Sequence, residues 1–222
     1  MERLSRDGST HVTNEIINTS SHLAAGCLAL LGSVLLIAQA VVTRDWWAVI
    51  GFVFYSLSLL SLFTFSTLHH GLNLSAKTNQ VLRTFDYVSI FALIAGTVTP
   101  IVLIQYRSVV GWSVLMVVWA LAALGISLRA SLPNLPKYIT NTMFIVMGWL
   151  PAVLVLIGGI TMPSGALLLL AAGGLLYSGG FVLYIIEKPN PMPGWFGFHE
   201  IWHIMVAVAA LCHYLFMYIY LL

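Results

Sequence analysis

Charged side chains are scarce in this sequence: only 7% of its 222 residues are Asp, Glu, Lys or Arg, whereas 60% are hydrophobic. Soluble domains carry about 25% charged residues, so the composition excludes the soluble classes and indicates a polytopic membrane protein. Cysteine is also rare. Cys27 and Cys212 each lie within an apolar run, which argues against a disulfide framework and predicts two small buried side chains. A long polar domain, a nucleic-acid-binding motif and low-complexity segments are absent, so we expect no nucleic-acid partner.

The amino-terminal segment is polar and differs from a signal peptide. It contains Arg3 and Arg6 but lacks a short apolar core followed by a small-residue cleavage site. We therefore expect residues 1–21 to be a retained cytoplasmic segment and residues 22–222 to form the membrane domain.

Long apolar runs fill the rest of the sequence. At about 20 residues per crossing, they predict an all-α bundle of seven transmembrane helices at 23–42, 46–68, 87–105, 109–128, 139–160, 164–186 and 201–221. Pro100 and Pro151 lie in or near the ends of these spans and predict kinks. Three glycine pairs, at 158–159, 173–174 and 179–180, indicate close helix packing.

The distribution of Lys and Arg predicts the orientation. With a cytoplasmic amino terminus, seven of the nine Lys and Arg residues fall on the cytoplasmic side and only Arg44 and Arg107 on the other. The positive-inside rule then predicts a cytoplasmic amino terminus and an external carboxyl terminus.

Under this topology, polar residues from four distant segments come to the cytoplasmic ends of their helices. They are Glu15, Asn18, His22, His70, Asp86, His199 and His203. Ionisable groups are costly in hydrocarbon, so such a cluster predicts a functional site.

Three histidines are candidate metal ligands. His199 and His203 are four residues apart and share one face of a helix, so both imidazoles can reach one ion. His70 ends the second span with Ser66 one turn deeper, and we expect it to be the third ligand. His69 is rotated about 100° from His70, and we assign it to packing or to the membrane interface.

The sequence predicts supporting roles for the remaining polar residues and leaves two alternatives for several of them. Asp86 is expected to face the site, either as a ligand or hydrogen-bonded to a water on the metal. Glu15, Asn18 and His22 share one helical face; they either orient the ligand imidazoles or simply form a polar helix entry. His213 lies about 15 Å deeper than His203 and is expected to bond to a neighbouring hydroxyl.

Three neutral imidazoles with one open position are typical of catalytic zinc sites. Zinc in such a site provides a hydroxide nucleophile near neutral pH and polarises a carbonyl, with Asp86 as the general base. At this depth the expected partner is a membrane lipid, as a substrate with an amide or ester bond or as a ligand. Oligomeric state is not predicted.

These motifs together resemble the hemolysin III family, the bacterial branch of the progestin and adipoQ receptor proteins. The resemblance covers nearly the whole chain and rests on E-x2-N-x3-H at 15–22, S-x3-H at 66–70, F-D at 85–86 followed by I-A-G-T-x-T-P at 94–100, and H-x3-H at 199–203. One departure is Tyr87, where many relatives carry histidine.

The resemblance implies a seven-helix protein of the bacterial inner (plasma) membrane with Zn²⁺ on His70, His199 and His203, and with Asp86 reaching the metal through water. Kinship with alkaline ceramidases, which share the serine, the aspartate and the three histidines, implies catalytic roles for Ser66 and Asp86. The family name implies a cytolytic activity, although the sequence has no amphipathic pore-forming segment.

Three other hypotheses remain open from the sequence. The first is a receptor-like sensor or regulator in which zinc is structural. The second is an intramembrane metalloprotease, because His199-Glu200-Ile201-Trp202-His203 also fits H-E-x-x-H with Glu200 as the base. The third is a transporter, which is disfavoured because spans four to six lack an ionisable relay.

Overall fold

Helices form almost all of the part of the chain that the structure describes. The structure is a computed structural model and covers residues 13–132, 135–156 and 161–222. Within these ranges the helices are α1 (Glu15–Val42), α2 (Trp46–Gly71), α3 (Ala76–Gln105), α4 (Val109–Ser131), α5 (Lys137–Trp149), α6 (Ala152–Leu156), α7 (Ser164–Ile186) and α8 (Phe198–Tyr220).

Seven helical segments in the described ranges are long and apolar enough to cross a membrane, with α5 and α6 together forming the fifth. The predicted all-α fold with seven spans is therefore confirmed. The break between α5 and α6 falls at Pro151, which has no N–H to continue the helix. Pro100 instead lies inside an uninterrupted α3.

Two helices begin well before their predicted spans. α1 begins at Glu15 rather than at residue 23, and α3 begins at Ala76 rather than at residue 87. Side chains cap both starts: the Asn14 amide oxygen accepts the N–H groups of Ile16 and Ile17, and the Ser75 hydroxyl accepts that of Thr78. These additional turns extend the helices beyond their apolar stretches, and on α1 they carry Glu15, Asn18 and His22.

The helices pack in a ring. α1 lies against α2 and α8, α2 against α3, α3 against α4 and α5, α5 against α7, and α7 against α8. Large apolar side chains such as Leu31 and Val34 are more than half exposed on the outer surface, as expected for residues that face lipid.

Small residues permit a close approach of α7 to α8. A Cβ atom at Gly180 would lie 2.7 Å from the Trp202 ring, and one at Gly173 would lie 3.2 Å from the Ala209 carbonyl oxygen. Gly174, by contrast, faces open space. Residues 158 and 159, like Arg3 and Arg6, lie outside the described residues.

One prediction about cysteine is wrong. Both cysteines are free, as expected, but Cys27 is exposed and Cys212 is half-buried, so neither is the fully buried side chain that was predicted. Cys27 lies on the outer face of α1, where an apolar environment is provided by lipid and not by the protein core. When a helix is apolar on all sides, its sequence does not tell which residues face lipid and which face the protein core.

Candidate metal centre

Three imidazoles meet at one end of the helix ring. His70 ends α2, while His199 and His203 lie in the first two turns of α8. All three are buried, with exposed fractions of 2%, 4% and 3%. One nitrogen from each ring lies within 4.8 Å of the other two. The sequence-based grouping of these three residues therefore agrees with the geometry.

The facing atoms of this imidazole cluster are Nε2 nitrogens. His199 Nε2 lies 3.4 Å from His70 Nε2 and 3.1 Å from His203 Nε2. Two nitrogens bound to one tetrahedral zinc at about 2.0–2.1 Å would stand about 3.3–3.4 Å apart. The observed spacing thus fits a metal ion of this size, and the cluster could hold one.

Glu15 fixes the other side of His70. Its Oε2 atom lies 2.5 Å from His70 Nδ1, and its Oε1 atom accepts a hydrogen bond from the Thr13 hydroxyl at 3.1 Å. A carboxylate that accepts the Nδ1 proton sets the tautomer that leaves Nε2 with its lone pair. Of the two alternatives left open by the sequence, an orienting role is the one that this contact favours; it stays a prediction.

His22 contacts the cluster in a different way. Its ring stacks on that of His203 with centroids 3.9 Å apart, and its Nε2 atom lies 3.3 Å from the His203 carbonyl oxygen. Its Nδ1 atom is 2.8 Å from the Ser66 hydroxyl. Ser66 is thus engaged with His22 and not with one of the three candidate ligands.

Glu200 is buried, with an exposed fraction of 2%, and joins α8 to α1. Its Oε1 atom accepts the Asn14 N–H at 2.5 Å and the Asn18 side-chain amide at 3.4 Å, while Oε2 accepts the Gly197 N–H at 2.8 Å. The side-chain amide of Asn18 therefore bonds to Glu200.

This role of Glu200 was not predicted from the sequence. The available signal was its position three residues after Gly197, where a glutamate commonly accepts the N–H of the residue that caps the helix. Because both oxygens accept main-chain N–H groups, Glu200 is poorly suited to act as a protease base.

Asp86 lies on the α3 side of the cluster and is half-buried. One of its carboxylate oxygens lies within 4.8 Å of ring nitrogens of His69 and His70. His69 is itself buried, with an exposed fraction of 3%. The structure thus places Asp86 beside the candidate ligand His70, as expected, and places His69 beside Asp86, which the sequence analysis did not anticipate.

Two other polar residues face away from the imidazole cluster. The Tyr87 hydroxyl donates to Asn141 Oδ1 at 3.0 Å and lies 2.7 Å from the Thr140 hydroxyl, with the Arg129 guanidinium 4.7 Å from the ring centroid. His213 Nε2 lies 3.4 Å from the Leu170 carbonyl oxygen, so its observed partner is a main-chain carbonyl and not the predicted hydroxyl.

Together, the seven spans and the buried imidazole cluster define a multi-pass integral membrane protein with a candidate metal site at one end of its helices. Residues 10–214 match the family model described as haemolysin-III related. The chain therefore belongs to the haemolysin-III related family.

Individual relatives agree with this assignment. The chain is 33% identical over 195 residues to "Hemolysin-3" of Bacillus cereus, covering 88% of this chain and 86% of the relative. It is 32% identical over 195 residues to "Hemolysin-3 homolog" of Bacillus subtilis (strain 168), covering 88% of each. A more distant similarity, 27% over 190 residues, extends to human "Monocyte to macrophage differentiation factor", covering 84% of this chain and 75% of the relative.

Proposed function

We propose that this protein is a zinc-dependent hydrolase of the bacterial inner membrane that cleaves an amide or ester bond in a membrane lipid. The observation that carries the proposal is the convergence of the Nε2 atoms of His70, His199 and His203. His199 Nε2 lies 3.4 Å from His70 Nε2 and 3.1 Å from His203 Nε2. Three neutral imidazoles with room for a further ligand are typical of catalytic zinc sites, whereas structural sites usually have four protein ligands.

Zinc bound by these imidazoles would supply Lewis acidity, which activates water near neutral pH and polarises a carbonyl group. The chain's own residues provide the rest. Glu15 holds the His70 ring in the required tautomer through Nδ1. His22 stacks on His203 and bonds to Ser66, which restricts the rotation of both rings.

Asp86 is the proposed general base. Its carboxylate lies near the His70 ring, and as a half-buried group it can exchange protons with water. A positioned carboxylate typically contributes about 10²–10⁴-fold to the rate through proton transfer. In this proposal Ser66 supports His22 and therefore positions the site.

The position of the imidazole cluster supports a lipid as the proposed substrate. The imidazoles are at the helix ends, near the predicted level of the lipid headgroups, and the outer helix faces are apolar. The carbonyl groups of membrane lipids lie close to the same boundary. A lipid amide or ester can therefore approach from the bilayer without leaving it.

Reconstituted protein tests the proposal. Purified protein in vesicles of bacterial lipids, with ceramide added in a parallel sample, should release free fatty acid or a lyso-lipid detectable by mass spectrometry. Asp86→Asn should retain the metal and lose about 100-fold or more of the turnover. Asp45→Asn is the matched control, because Asp45 caps the opposite end of α2 and asparagine caps equally well.

A receptor-like regulator with structural zinc is the second candidate. The imidazole cluster and its partners connect α1, α2 and α8 through side-chain bonds, so a metal ion there would also hold these helices together. For a regulator, Asp86→Asn would change no lipid, while metal removal would lower the temperature of unfolding. Absence of lipid turnover in metal-loaded protein, with unchanged lipids in both variants, would exclude the hydrolase.

A further inference from the structure

His69 occupies an unusual environment. It lies near the end of α2, directly before the candidate ligand His70, and only 3% of it is exposed. Neither of its ring nitrogens has a hydrogen-bond partner within the described ranges 13–132, 135–156 and 161–222. Buried polar atoms are nearly always hydrogen-bonded. A buried imidazole without a hydrogen-bond partner therefore indicates that the ring binds something else, such as a metal ion.

A second group of metal-binding atoms lies around this ring. One ring nitrogen of His69, one of His70 and one carboxylate oxygen of Asp86 all lie within 4.8 Å of one another. Two imidazoles and a carboxylate are the ligands of many zinc sites. The 100° rotation between successive helical residues accounts for the arrangement: His70 faces α1 and α8, and His69 faces α3.

His70 belongs to both groups, but only one of its nitrogens is available. Its Nδ1 atom is 2.5 Å from Glu15, and its Nε2 atom is directed at His199 at 3.4 Å. A metal ion in either group would therefore use Nε2. Since one lone pair binds one metal, the two groups cannot be filled together.

The second group is the more accessible of the two. Asp86 is half-buried, whereas all three members of the imidazole cluster are buried. A half-buried carboxylate such as that of Asp86 also attracts a divalent cation more strongly than a neutral imidazole does, because it carries a charge.

We propose that His69, His70 and Asp86 form an outer position for the same metal ion, from which the ion passes to His70, His199 and His203. This inference rests on the metal-binding part of the proposed function and is independent of any hydrolase activity. It assigns His69 a role in metal entry and release.

Metal binding at the outer position can be measured alone when the inner ligands His199 and His203 are removed. In the purified variant His199→Ala/His203→Ala, titration with Co²⁺ alone and visible absorption should detect one ion per chain, bound about tenfold to 100-fold more weakly than in the unmodified protein. Adding His69→Phe should abolish this binding, and adding His213→Phe instead should leave it unchanged. Loss of all binding in His199→Ala/His203→Ala, or binding that His69→Phe does not affect, would overturn the proposal.

Kinetics provide an independent measurement that does not depend on a multiply substituted protein. His69→Phe alone should retain one Co²⁺ per chain at equilibrium but take it up at least about tenfold more slowly; equal uptake rates would contradict a transit role. Unmodified protein that binds no Co²⁺ would instead refute the three-imidazole site itself, so the two failures are distinguishable.

Discussion

His70 Nδ1 lies 2.5 Å from Glu15 Oε2, and this hydrogen bond joins the start of α1 to the end of α2. Because Nδ1 is occupied in this way, the other ring nitrogen is directed toward His199. A residue 55 positions earlier in the chain thus determines which atom of His70 can bind a metal.

Glu15→Gln should weaken metal binding without abolishing it. Glutamine can still bond to His70 but has no charge to raise the basicity of the ring, and loss of such a carboxylate typically costs about 10–100-fold in metal affinity. Competition with a chromophoric chelator measures the change. An unchanged affinity would mean that the Glu15 charge does not act on the imidazole.

His203→Ala should remove the bound metal. After a chelator wash, the zinc content by elemental analysis is expected to fall from about one zinc per chain to near zero. The three-imidazole site then keeps only two ligands, and the proposed outer position holds the ion too weakly to resist the chelator. His213→Ala is the control on the same helix, since His213 bonds to the Leu170 carbonyl oxygen and lies about 15 Å from His203 along the axis. Equal zinc content in the two variants would contradict the assigned ligand set.

Glu200→Gln should destabilise the protein without removing its metal or changing its lipid turnover. Two main-chain N–H groups, of Asn14 and Gly197, use the two carboxylate oxygens, and glutamine offers only one oxygen. The expected cost is about 1–3 kcal/mol, measured as lower thermal stability in detergent. A metalloprotease would behave in the opposite way, losing proteolysis while keeping its stability. Asp45→Asn, which removes a charge and keeps the cap of α2, controls for the loss of charge alone.

Tyr87→Phe should reduce stability and leave metal affinity unchanged. The hydroxyl bonds to Thr140 and Asn141 on α5, and its loss is expected to cost about 1 kcal/mol. Thermal unfolding and chelator competition on the same sample separate the two effects. A drop in metal affinity would connect Tyr87 to the imidazole cluster after all.

Labelling of single cysteines should establish the predicted orientation. In a protein with Cys27 and Cys212 replaced by alanine, Lys77→Cys should react with an impermeant maleimide only in inverted vesicles, and Arg107→Cys only in right-side-out vesicles. This outcome follows from the Lys and Arg distribution. The reverse pattern would place the imidazole cluster on the external side.

The sequence predicted the spans and the ligand candidates because both depend on simple regularities. Hydropathy marks a membrane helix, and a four-residue spacing places His199 and His203 on one face. The earlier starts of α1 and α3 were missed because their additional turns lie beyond the apolar stretches. They are helical because Asn14 and Ser75 cap them, a signal that the hydropathy count ignores.

Other features depend on packing between distant segments. The local sequence does not predict the bond of Glu200 to Asn14, because this contact forms only when α8 packs against α1. It does not predict the proximity of His69 to Asp86 either, because that contact forms only when α2 packs against α3. Exposure is equally hard to predict for helices that are apolar all round, which is why Cys27 was assigned to the core.

The adjacency of α1 and α8 has a consequence for biosynthesis. His199 and His203 leave the ribosome after every other described helix, whereas Glu15, His22, Ser66 and His70 are already in the bilayer. The nascent chain therefore inserts only part of the imidazole cluster and its partners, and the cluster is complete only when α8 docks. If the three imidazoles hold a metal ion, that ion can reach its final position only after α8 has docked, so this step would come late in maturation.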